Sequence, residues 1–313
     1  MENTEISNKI DIENNKNELD DAEPTEKNTI LNFLTKNSFT ILLGISFFLL
    51  ISFIGLIIIN AYNGNLNKIF WFNQLAKYVL ILVIQYCMSL LVIHYDVKVN
   101  YTRKVIHISY FLWPQLLDIT VLKYKTDIFT ELWNIWIILY LLILSSEHIR
   151  NKNKYLDHMF KAIDRPEDQP YTLIWFSSQI VAVLIILIPF SVYFTSIDKS
   201  GLVFIPILIN GLADGLAEPI GIRFGKHKYK TKACLSDREY ERSYEGSLCV
   251  FIVSTIILIC YYPYMDVKPY IFCLATIPLL ITFTEAFSPH TWDSPCIYLV
   301  VCSLLSLSLL TAD

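Results

Sequence analysis

FTILLGISFFLLISFIGLIIIN, residues 39–60, runs for 22 residues without a charge. At 1.5 Å per residue a helix of that length reaches about 33 Å, enough to cross the ~30 Å hydrocarbon core of a bilayer. In hydrocarbon every backbone N–H and C=O must find a partner within the protein, so such a stretch is read as a transmembrane helix.

Working outward, similar apolar runs recur, and nine spans are expected: Phe39–Asn60, Ala76–Tyr95, Val105–Leu122, Phe129–Ser146, Tyr171–Phe194, Gly201–Ile222, Gly246–Tyr262, Pro269–Phe287 and Pro295–Thr311. Composition agrees. The chain is 54% hydrophobic with a mean hydropathy of +0.45. Only 17% of residues are charged, against about 25% in soluble domains. The expected fold is therefore an all-α polytopic membrane bundle, 39–313, behind an acidic, disordered tail, 1–38, too poor in apolar residues to offset its ordering entropy. No internal repeat is evident. The formal net charge of −4 comes largely from the tail, and no nucleic-acid partner is expected. None of the seven cysteines forms a CxxC pair, so neither a disulfide framework nor a zinc site is expected.

Lysine and arginine set the orientation. With the tail in the cytosol, 19 of the 25 basic residues fall on the cytosolic side and 6, including Lys77, on the other. The loops 96–104, 147–170, 223–245 and 288–294 then share the cytosolic face. The 147–170 loop reads as a surface amphipathic segment, with Tyr155, Met159 and Phe160 on its apolar side.

The sixth run continues as GLVFIPILINGLADGLAEPIGIRFGKHKYK, 201–230. Asp214 and Glu218 are one helical turn apart and share a face. Two acids within an apolar span are costly and mark a functional site by default. Gly211, Gly215, Gly221, Gly225 and Pro219 permit a break or a close backbone approach. A plain reading also stands, in which the acids end the helix at the interface and pair with Arg223 or Lys226. Downstream lie Lys228, Lys230, Lys232, Arg238 and Arg242, a density of basic charge suited to a phosphorylated ligand bridged by a divalent cation. Anionic lipid headgroups are an alternative partner for that loop. Ser243 is expected to cap the next helix, with Gly246 and Ser247 offering N–H groups to phosphate. Arg103 and His107 share a face at the start of the third span, beside Lys104. Glu285 and Asp293 flank Ser288-Pro289-His290 in a loop without basic residues, expected to hold a metal or the neighbouring cations.

The stretches ADGLAEPIGIRFG (213–225), RSYEGS (242–247) and RKVIH (103–107), with the acids from Glu285 to Asp293, resemble the polytopic CTP-dependent lipid kinases, the group of dolichol kinase, phytol kinase and fungal-type diacylglycerol kinase. The resemblance covers roughly residues 100–300. It departs from the family pattern at Ala213, Glu218, Pro219, Arg242 and Ser294. It implies transfer of the γ-phosphate of CTP to a membrane lipid alcohol, with Mg²⁺, at the cytosolic face of an internal membrane, by default the endoplasmic reticulum. Carried over by position, Asp214, Glu218 and Glu245 are the catalytic candidates. Arg103, Lys104, His107, Arg223, Lys226, Lys228, Arg242 and Gly246 are the nucleotide-binding ones, and Asp214, Glu218 and Asp293 the metal ligands. Two alternatives remain open: a CDP-lipid-forming cytidylyltransferase, and an ion or solute transporter that uses the intramembrane acids.

Overall fold

The structure, a computed structural model, describes residues 37–64, 68–122, 128–232, 239–289 and 292–310. The tail to residue 36, His290 and Arg238 lie outside these residues. The chain divides into two units between Ile45 and Ser46; the bundle is built from the second.

All nine expected runs are helical. They are α1 (Ser38–Tyr62), α2 (Lys68–Tyr95), α3 (Val99–Leu117), α4 (Ile128–Leu144), α6 (Thr172–Ser196), the interrupted α7 (Phe204–Leu208) and α8 (Gly215–Phe224), α9 (Tyr244–Tyr261), α10 (Val267–Phe287) and α11 (Asp293–Leu309). A short helix, α5 (Lys154–Lys161), lies in the loop before α6. Among the described residues six segments are long and apolar enough to cross a membrane: Leu43–Tyr62, Lys68–Tyr95, Thr172–Ser196, Ser200–Phe224, Tyr244–Tyr264 and Val267–Phe287. The helices at 132–144 and 293–309 are apolar but shorter. This is a membrane protein of the all-α class. Its one described departure from helix is an antiparallel hairpin, β1 (Lys228–Lys232) with β2 (Glu239–Ser243), where the sequence suggested only a basic loop.

The segment bearing the acids is the innermost of the six. Its apolar window is 67% buried, against 11–33% in the others. Ile205, Ile209, Ala213 and Ala217 pack there with Val250 of α9, Ile277 and Ile281 of α10, and Ile297, Tyr298 and Val301 of α11. Between α7 and α8 the chain loosens into a π-turn, Ile209–Asp214, a distortion common at functional sites. The glycines serve close approach. A Cβ on Gly211 would sit 2.7 Å from Phe111 Cβ, and one on Gly215 2.5 Å from Ile108 Cγ1, both on α3. Any larger residue would push α3 off the acid-bearing turn.

Two expectations change. Lys77, expected at the edge of the second span and counted with the basic residues of the far face, does not lie at a helix end. Helix α2 begins at Lys68, and Lys77 is fully buried within it, paired with Asp118, which opens a second π-turn (Asp118–Leu122) after α3. Asn73 Nδ2 donates to Asp118 Oδ1 at 2.7 Å, and Asn134 Nδ2 to Oδ2 at 3.1 Å. Lys77 Nζ donates to Asn134 Oδ1 at 2.8 Å. These partners are what allow polar residues to enter the helix. The segment around α5 is likewise not a surface float. Met159 and Phe160 are buried while Tyr155 is exposed, and Gln85 of α2 donates to the Met159 carbonyl at 3.4 Å.

Candidate functional site

At the end of the bundle where α3, α8 and α9 meet the hairpin lies a cavity of about 780 Å³. Its walls come from segments far apart in sequence, and six basic and seven acidic side chains line it.

The first wall is the contact of α3 with α8. Lys104 Nζ, buried, lies 2.9 Å from both carboxylate oxygens of Asp214 and 3.1 Å from its carbonyl. One ammonium thus fixes both the side chain and the backbone where the π-turn passes into α8. His107 Nε2 stands 3.3 Å from Asp214 Oδ2 and 3.0 Å from the Asn210 carbonyl. Glu218, one turn on, is held by Arg103, by Asn100 Nδ2 at 2.8 Å, by Arg165 Nη1 at 3.2 Å and more distantly by Lys104 at 3.9 Å. These cations stand where the plain alternative reading placed Arg223 or Lys226.

The second wall is the hairpin and the start of α9. Ser243 caps α9 as expected, its Oγ accepting from the Gly246 N–H at 3.1 Å. A Cβ on Gly246 would come within 2.9 Å of the Ala217 carbonyl, so glycine is what lets α9 close on α8. Tyr229 and Ser247 share a hydroxyl hydrogen bond of 2.7 Å. Arg242 lies between the acids of the third wall, bonded to the carboxylate and carbonyl of Glu285, with Asp293 at 4.0 Å. Burial pulls the Arg242 pKa down, but Glu285 and Asp293 more than offset this and hold it above the ordinary guanidinium value. The acidic pair thus binds a neighbouring cation. Lys228 bonds Glu241 at 2.9 Å and Lys230 bonds Glu239 at 2.8 Å across the strands. Those lysines are balanced within the hairpin, which leaves less free positive charge for anionic lipid than the sequence suggested.

Of the residues singled out from the sequence, Asp214, Glu218, Arg103, Lys104, Lys228, Arg242, Gly246 and Asp293 line this one cavity. His107 reaches it only through Asp214. Three others do not line it either. Arg223 is exposed at the end of α8, where its guanidinium lies 5.8 Å from the Phe224 ring. Lys226 is exposed in the following turn. Glu245 turns away to His227, its Oε1 3.0 Å from Nδ1. Nor do Asp214, Glu218 and Asp293 gather as a metal site; among the described residues no three His, Cys, Asp or Glu side chains do. Arg242 holds Asp293 on the opposite wall.

Asn100 and Arg165 are among the lining residues that escaped the sequence reading. Arg165 is buried and clamped by Asp168, at 2.8 Å from Nε and 2.7 Å from Nη2. The Arg-x-x-Asp spacing in a loop assigned to the cytosolic face was its only signal. One further buried group stands out. Asn210, fully buried in the π-turn, has no partner for either side-chain atom, a condition buried amides rarely tolerate unless water or a ligand meets them.

Compared with protein-family models, with curated proteins and with solved structures, the chain matches none.

Proposed function

We propose that this cavity is the active site of a CTP-dependent lipid kinase. It would move the γ-phosphate of CTP to the hydroxyl of a lipid alcohol at the cytosolic face of an internal membrane, taken as the endoplasmic reticulum. The proposal includes nine spans with the amino terminus in the cytosol.

The observation that carries it is the convergence of 103–104, 214–218, 242–246, 285 and 293 on one polar cavity at one end of an apolar bundle. Phosphoryl transfer needs little covalent help from protein; positioning and charge stabilisation supply most of its catalysis. A cavity at the membrane surface lined by fixed cations and carboxylates offers both. In the reaction the lipid hydroxyl oxygen would form a bond to the γ-phosphorus, the bond from that phosphorus to the β-phosphate oxygen would break, CDP would leave, and the hydroxyl proton would pass to solvent.

The residues fit a Mg²⁺ ion in the modest way that ion requires, through one or two carboxylates, with phosphate and water completing six oxygens. Asp214 and Glu218 would hold it, and the unpartnered Asn210 amide lies one turn away. When bound, Mg²⁺ supplies neutralisation of phosphate charge. Lys104 fixes the Asp214 carboxylate, Arg103 and Arg165 hold the charge balance around Glu218, and the α9 amino terminus presents N–H groups to a phosphate oxygen.

The test is purified protein with γ-labelled CTP, Mg²⁺ and a panel of lipid alcohols. Label enters one lipid class, CDP is released, and Asp214→Asn lowers the rate at least a hundredfold. Full activity in that variant refutes the site. Pyrophosphate release in place of CDP identifies a cytidylyltransferase.

A transport reading draws on a separate observation. Polar residues are buried along α2 at Asn73, Gln74, Lys77, Gln85 and Ser89. Solute flux in proteoliposomes that requires Asp214 and consumes no nucleotide would establish it.

A further inference from the structure

We propose that Arg165 contacts the β- or γ-phosphate of the nucleotide, as a cation that stays in place while the carboxylate beside it changes partner. The inference rests on the phosphoryl-transfer reading above.

Glu218 is one carboxylate among three cations, Arg103, Lys104 and Arg165. Two of these come from α3, while Arg165 arrives from a separate loop and brings its own counterion. Asp168 binds it at two points, Nε and Nη2, and both side chains are almost fully buried. The loop itself is fastened. Thr102 of α3 donates to the Ala162 carbonyl at 2.8 Å. Asp164 accepts from Thr172 at 2.6 Å and from Gln169 at 2.9 Å. The Asp168 N–H closes the turn on the Arg165 carbonyl at 3.0 Å.

Were Glu218 to hold a metal ion, Arg103 and Arg165 would both lose part of their compensation. Arg165 keeps its place because Asp168 still holds the other edge of the guanidinium. Its Nη1 then meets phosphate without the cost of ordering a free side chain. A planar guanidinium can serve carboxylate and phosphate along different edges, which an ammonium cannot. A Mg²⁺ ion held by Glu218 would neutralise charge on the terminal phosphates, so a cation beside Glu218 would meet the β- and γ-phosphates and not the α-phosphate. Asp168 is a positioning residue.

The experiment uses the full-length protein in lipid nanodiscs, as wild type, Arg165→Gln, Arg165→Lys and Asp168→Asn. It measures kcat and KM for CTP and inhibition by CMP. Loss of one charge-assisted phosphate contact is expected to raise the KM for CTP roughly ten- to a hundredfold in Arg165→Gln. Arg165→Lys recovers little of this, Asp168→Asn shows a smaller rise, and CMP inhibition is unchanged in all three. An unchanged KM for CTP in Arg165→Gln overturns the proposal while leaving the kinase reading intact. Equal weakening of CTP and CMP also overturns it, because that pattern marks a structural role. A wild type that phosphorylates no lipid overturns the kinase reading, and the proposal with it.

Discussion

Lys77 and Asp118 have no exposed side-chain surface and neutralise one another inside the bundle, with Asn73 and Asn134 completing their hydrogen bonds. Removing one partner strands the other charge. Lys77→Met is therefore expected to cost about 3–5 kcal/mol, while Lys77→Met with Asp118→Leu recovers most of it. Thermal unfolding in detergent reads this, and an unchanged midpoint in the single variant would show that the pair is not desolvated. This residue also marks where the sequence stops being readable. A lysine ahead of an apolar run looks like a span boundary, because its compensating acid lies in another helix. Asp214 and Glu218 were legible for the opposite reason, as two charges with apolar neighbours on both sides. Arg165 was not, since an Arg-x-x-Asp pair in a charged loop has the same pattern as an ordinary surface ion pair.

Helix existence followed directly from hydropathy, and all nine expected runs are helical. The hairpin was missed, although its signal is present. Lys228, Lys230 and Lys232 alternate with Tyr229 and Thr231, and Glu239 and Glu241 supply the opposite charge at the same period of two. Lysines crowded into a loop are also the mark of a cytosolic face, and that signal masks their spacing. Glycines in the acid-bearing segment permit a break or a close approach; the close approach is what Gly211 and Gly215 provide against α3. Gly215→Ala, which forces its new methyl onto Ile108, is expected to lose roughly 1–3 kcal/mol through overpacking. Adding Ile108→Ala is expected to relieve that clash, giving a favourable coupling in a double-mutant cycle. Strict additivity of the two changes would mean that α3 and α8 do not meet there.

For the molecule as a whole, the polar cavity gathers at one end of the helices, and α9 runs away from it for 18 residues, or about 27 Å. Cysteines replacing the exposed Glu167 and Glu241 are therefore expected to react with an impermeant maleimide from the same side of a sealed vesicle. A cysteine at Asp266, beyond the far end of α9, should react only when the membrane is opened. Reaction of all three from one side refutes the spanning arrangement. The enclosed ion pair has a consequence for biosynthesis. Asn73 is made 45 residues before Asp118, and Lys77 also precedes its acid, so α2 leaves the ribosome carrying a charge with no counterion. An unpaired lysine near a helix centre costs about 2.5–3.5 kcal/mol on insertion. Helix α2 is best kept at the translocon until α3 emerges, so that the two enter lipid together with their charges already cancelled.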